Sequence, residues 1–225
     1  MAGIGSVDGS GMDPDLSLNA PRQRRTRAQW ERVLDAGVQL LEEGGYEAFT
    51  IAALCERASV PPRALYARAA TKDALFLAVY EHGMQRVLSS ENVFNQAELW
   101  DLEDERRIEQ AVRSLVQVFA DNAAFLRSVV LISGAHPEVR RRGELYRAAI
   151  SERFVNALGP PEPSMLASHA VDEREFCFTL VFSSMVVRTA YGPGFGLGGT
   201  TEALSGELVT MAHRYLKPGS RDGAR

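Results

Sequence analysis

The stretch Thr50-Ile-Ala-Ala-Leu-Cys-Glu-Arg-Ala-Ser-Val-Pro-Pro-Arg-Ala-Leu-Tyr-Ala-Arg-Ala-Ala-Thr-Lys-Asp-Ala-Leu75 holds two apolar-patterned segments, each too short to bury a core alone. Ile51, Leu54, Cys55 and Ala58 lie on one helical face, and Thr50 is placed to cap that helix. Ser59-Val60-Pro61 is a turn. Pro61 and Pro62 suit the start of a second helix, because the first turn has spare amides and proline already fixes φ at about −65°. Helices this short are stable only by bracing each other at a steep angle. That arrangement is a helix-turn-helix, whose second helix can enter a DNA major groove. Leu65 and Tyr66 are expected to face inward or toward a DNA backbone, leaving Arg63, Ala64, Ala67 and Arg68 outward.

The flanks read as helices too. Thr26 with Gln29 makes a capping-box pattern, followed by an apolar stripe at Trp30, Val33, Leu34, Val38 and Leu41 that stops at Gly44-Gly45. Tyr46 and Phe49 are expected to fold back onto that stripe. Behind the turn unit, Thr71 caps a longer helix patterned by Leu75, Phe76, Val79, Tyr80, Met84, Val87 and Leu88. Further stripes follow at Ile108 to Phe119, Asn122 to Ser133, Pro137 to Leu158, 172 to 191 and Leu204 to Tyr215. The centre of 172–191 is apolar on nearly every side, which predicts burial all round. No strand alternation or internal repeat is evident, so the fold class is all-α. Residues 1–21 and 218–225 read as disordered tails, 22–70 as the helix-turn-helix domain, and 71–217 as a helical body.

Net charge is −4, which by itself argues against a nucleic-acid partner. DNA responds to local charge, however. Arg22, Arg24, Arg25 and Arg27 precede the first helix, and Arg63, Arg68 and Lys72 lie in or beside the second short one. Acids gather elsewhere, at Glu98, Asp101, Glu103, Asp104 and Glu105. The longest apolar run, Phe176 to Val187, has 12 residues, short of the roughly 20 a membrane span needs. No basic start followed by an apolar stretch suggests a signal peptide. Two cysteines, Cys55 and Cys177, sit in apolar helical patterns and read as buried free thiols of a cytoplasmic protein. His136 and His169 lack metal-ligand spacing, and no cofactor motif occurs. Arg140-Arg141-Arg142 reads as a solvated face, with an anion site as the sharper alternative.

In order and spacing, several of these elements resemble the TetR family of bacterial transcriptional regulators. They are the arginine-flanked first helix ending in Gly45-Tyr46, Thr50, the Ala58-Ser59-Val60 turn, Leu65-Tyr66, and Lys72-Asp73-Ala74-Leu75. The resemblance covers about residues 22–82 well and the rest by size and helical layout. It implies a homodimer paired through the last two helices and a body that binds a small apolar effector. It also implies a double-stranded DNA operator as partner. Departures are Ser59 where glycine is usual, Pro61 where a serine cap is usual, Ala69 where an aromatic is usual, and Arg63 where a small residue is usual.

Carried over residue by residue, Thr50, Tyr66 and Lys72 become phosphate contacts that position the protein without reading sequence. Arg63 and Arg68 become base readers, since a guanidinium pairs bidentately with guanine, and Ala64 and Ala67 meet thymine methyls. Arg25 and Arg27 reach the backbone or minor groove from the N-terminal arm. Trp100, Phe119, Phe125, Met165, Phe178, Phe182 and Met185 are candidates to line an effector pocket, although residues of these types at helical spacing equally suit an ordinary core. The expectation is a ligand-responsive, sequence-specific regulator, a repressor released from a palindromic operator. A helical adaptor with a degenerate helix-turn-helix is the alternative. An enzyme is not expected, because nucleophile elbow, phosphate loop and paired histidines are all missing.

Overall fold

The first helix, α1 (Arg24–Ala48), starts two residues ahead of the expected Thr26 cap and loses its regular course at Gly45, where φ is +65° and ψ −159°. Side chains are rarely tolerated in that conformation, which is why a glycine ends the regular run. The turned chain drops Phe49 into the core, fully buried. α2 (Ile51–Ala58) then begins under Thr50, whose hydroxyl oxygen accepts from the Ala53 amide at 3.1 Å. It closes on Ser59, a non-glycine residue at φ +53°. α3 (Pro62–Tyr66) is a five-residue helix, and its N-cap Pro61 offers no side-chain hydrogen bond. Thr71 caps α4 (Lys72–Ser89) through the Ala74 amide at 3.0 Å.

The body consists of α5 (Asp104–Asp121), α6 (Ala123–Ser133), α7 (Pro137–Ala157), α8 (Glu173–Tyr191) and α9 (Thr201–Leu216). This computed structural model describes residues 24–89, 102–159, 172–195 and 198–216, with no strand among them. Arg22, Trp100, Met165, His169 and the two terminal segments lie outside the described residues, as do the side chains of Arg24 and Arg25. The architecture is all-α. No single helix among the described residues is long and apolar enough to cross a membrane.

Two helices join the ends of the molecule. α1 packs against α2 and α4 on one side and α6 on the other, and the Ser128 hydroxyl of α6 donates to the Leu41 carbonyl at 2.6 Å. α4 is buried along most of its length, from Leu75 to Val87. It passes close to α6 because Gly83 has no side chain: a Cβ there would overlap the Phe125 ring. Gly83→Ala is therefore expected to destabilise by about 1–3 kcal/mol through overpacking, although alanine favours helix. A chemical denaturation curve showing a gain in stability would contradict this packing.

Two expectations need correction. α8 is not buried all round. Cys177, Phe178, Val181 and Met185 are buried, but Phe176, Leu180 and Val187 stay 38–39% exposed and Tyr191 61%. A wide apolar centre cannot say which face a neighbour covers, and in the single chain α5, α6, α7 and α9 contact α8 without covering this stripe. Cys55 is only half-buried, whereas Cys177 is fully buried and its thiol is pushed up to about 12 by that burial.

Candidate functional site

One end of the molecule gathers α2, α3 and the start of α4. Thr50, Arg63, Tyr66 and Ala67 are exposed there, and Ala64 and Lys72 are half-buried. Leu65, at 1% exposure, anchors α3 from below. Tyr66 takes the outward of its two expected placements; it is 51% exposed, because α3 ends there and leaves no following turn to cover the ring. Lys72 lies with its ammonium 4.7 Å from the centre of the Tyr46 ring, a cation–π contact that fixes the start of α4 against the end of α1.

Arg68 overturns its expected outward placement. It is 9% exposed, its guanidinium sits 5.4 Å from the Trp30 ring centre, and its Nη2 donates to the Thr26 carbonyl at 3.2 Å. The helix that would have aimed it outward stops two residues earlier, so the chain curls back over the first turn of α1. Arg68 ties the N-terminal helix to the turn unit. Arg27 is exposed and pairs with Glu31 one turn along α1 at 3.2 Å.

The second feature is a chamber of about 250 Å³ in the body, walled by α4, α5, α6, α7 and α8. Its lining is overwhelmingly apolar and includes Met84, Val87, Leu115, Phe119, Val129 and Ile150. Of the expected pocket residues, Phe119 and Phe182 line it, with rings 5.3 Å apart. Phe125, Phe178 and Met185 do not: all three are core residues, with Phe125 over Gly83 and Phe178 against Phe154 at 5.6 Å. An aromatic at helical spacing faces either way until the neighbouring helix is placed.

Beside the chamber lies a buried charged cluster. Arg142 of α7 donates to Glu81 of α4 and to Glu138 at 2.6 Å, and the Tyr146 hydroxyl also donates to Glu81. Glu81 and Arg142 are each 8% exposed. Arg140-Arg141-Arg142 is thus not one solvated face: Arg142 is interior, Arg141 pairs with Glu138 at 2.8 Å, and Arg140 stands at the chamber. The Arg141 and Arg142 guanidiniums hold the Glu138 carboxyl down at about 2. Burial, aided by Glu81, pushes the Tyr146 phenol well up, so it stays a donor. Tyr80, which also lines the chamber, has a buried hydroxyl with no hydrogen-bond partner among the described residues. The cluster had a sequence signal. Glu81 is the one acid inside the apolar run Leu75–Val87, and Glu138, Arg142 and Tyr146 recur every four residues on one face of α7.

His136 caps α7. Its Nδ1 accepts from the Val139 amide at 3.3 Å, which leaves Nε2 as the donor to Asp73 at 2.7 Å. That bond links the start of α7 to the start of α4.

A family model described as bacterial regulatory proteins, tetR family, matches residues 33–79, the span holding the turn unit and the start of α4. This match places residues 33–79 in the TetR family. It is 29% identical over 142 residues to the HTH-type transcriptional regulator Rv0767c of Mycobacterium tuberculosis, covering 62% of this chain and 63% of that protein's length. It is 36% identical over 75 residues to the HTH-type transcriptional repressor KstR of Rhodococcus jostii, one third of each chain. Two solved structures share the TetR-family fold. A tetR-family regulatory protein from Rhodococcus RHA1 superposes with TM-score 0.61 at 20% identity, over 84% of this chain and 96% of that one. The regulator PfmR of Thermus thermophilus does so with 0.57 at 16%, over 83% and 100%.

Proposed function

We propose that this TetR-family chain is a cytoplasmic, ligand-responsive repressor that binds a palindromic DNA operator as a homodimer. The observation that carries the reading is the outer surface of α2–α3. Arg63, Tyr66 and Ala67 stand exposed on a five-residue helix held from behind by Leu65. Thr50 and Lys72 flank it at two helix starts, where amides and side chains favour phosphate. The bare apolar stripe on α8, with α9 beside it, supports pairing of two copies through the last two helices. A two-fold dimer would set the reading helices about 34 Å apart, one helical turn of DNA. The repressor sense follows the Rhodococcus jostii relative KstR, a transcriptional repressor.

The chamber supports a small apolar effector, and α4 supports the coupling. From Lys72 to Leu88 this helix runs about 24 Å at 1.5 Å per residue, with the DNA end at one terminus and chamber wall at the other. An effector preferring one tilt of α4 shifts the spacing of the reading helices only by its difference in affinity between the two states.

Selection of bound fragments from random DNA at near-physiological salt tests the reading. An enriched palindrome is expected. With that probe, Tyr66→Phe and Lys72→Ala are expected to weaken every sequence alike, each by about tenfold, as lost contacts to charged phosphates. Arg63→Ala should instead relax one operator position, by about 1–3 kcal/mol. A folded dimer that enriches nothing would favour the adaptor reading, which the uncapped, one-turn α3 also suits.

A further inference from the structure

The chamber is not closed on the α7–α8 side. A second, more open space of about 400 Å³ adjoins it, bounded by Arg147, Glu175, Phe176, Thr179, Phe182 and Ser183. Arg147 and Phe182 belong to both spaces, so they form the doorway between an apolar interior and a more open cleft of mixed lining. Arg147 is half-buried. The structure gives it no hydrogen-bond or ion-pair partner among the described residues. A guanidinium keeps its charge at any working pH and presents five donors, so a partly desolvated one without an acceptor is a poor resting arrangement.

We infer that the effector is an apolar chain ending in a carboxylate, with the chain in the chamber and the carboxylate on Arg147 at the doorway. This rests on the chamber being the effector site. The charges around the doorway favour an anion over a cation. Glu144 and Glu175 are the acids lining the two spaces, and both side chains are exposed, so water and salt screen them. Arg147 is the less solvated charge and acts at shorter range in a lower effective dielectric. Arg140 adds a second cation on the same helix, two turns earlier and also on the chamber. A guanidinium fork matches a carboxylate with two parallel bonds, which a lone hydroxyl cannot use. Phe182 offers its ring to the first carbons of the chain.

Three probes sharing one twelve-carbon chain test this: laurate, dodecanol and dodecylamine, each titrated calorimetrically into the full-length protein and into Arg147→Gln. Laurate is expected to bind the native protein about tenfold or more tighter than dodecanol, with dodecylamine weakest. Arg147→Gln should abolish the laurate advantage and leave dodecanol affinity unchanged. Equal binding of laurate and dodecanol, or a laurate advantage that survives in both Arg147→Gln and Arg140→Gln, would overturn the carboxylate assignment and leave the chamber standing as an apolar site. No binding of any probe, with Phe182→Trp fluorescence also unmoved, would overturn the chamber reading itself. Thermal unfolding of Arg147→Gln checks that a lost advantage is not a lost fold.

Discussion

Arg142→Ala is expected to lower unfolding free energy by about 3–5 kcal/mol, because it leaves an uncompensated carboxylate inside the body. Glu81 is 8% exposed, and its described partners are the Arg142 guanidinium and the Tyr146 hydroxyl. Without the guanidinium, one phenol donor faces a full negative charge between α4 and α7. Removing both charges tells a different story. Glu81→Met with Arg142→Met should cost far less than the sum of the single changes, since a well-packed apolar pair can replace a buried ion pair at little loss. Urea denaturation of both single variants and the double measures the coupling. If Arg142→Ala loses under about 1 kcal/mol, the cluster is solvated and does not lock α4 to α7.

Phe76→Ala comes next in expected size, at about 3–5 kcal/mol. The ring is 1% exposed and meets Tyr46 at 4.9 Å, Phe49 at 5.6 Å and His136 at 5.5 Å. Two of those partners come from the end of α1 and its turn, and the third from the cap of α7. A cavity here therefore loosens the helix-turn-helix end from the body as well as the core. Phe76→Leu, which refills much of the space, should lose much less. Equal losses for alanine and leucine would mean the ring edge contacts, not the filled volume, carry the stability.

Much of this layout could be read from residue patterns. Thr50 and Thr71 announced helix starts that the structure places at Ile51 and Lys72, and Gly45 announced the break in α1. Those signals are local: a hydroxyl, a glycine or a proline acts on its own few residues. Arg68 was misplaced, and Tyr66 was left between two placements, because their direction depends on where α3 stops, and a five-residue helix gives periodicity too few positions to show it. Arg142 was read as solvated because its neighbours in sequence are charged; its partner Glu81 lies 61 residues away. Likewise, Phe119 and Phe125 sit in similar apolar patterns, yet one lines the chamber and the other fills the core above Gly83. Only the placement of α4 separates them.

The inward fold of Arg68 bears on how such a protein changes its target. That side chain holds the Thr26 carbonyl and the Trp30 ring, so altering it would unsettle the start of α1 before it altered recognition. Variation compatible with folding is left to the outer positions of α3 and its cap, Arg63, Ala64 and Ala67. Ala67 is exposed, with room for a longer side chain, whereas Ala64 is half-buried against the core. If α3 reads DNA as proposed, new operator preferences would arise by replacement at a few outer sites, while a narrow set of replacements at position 68 keeps the scaffold intact.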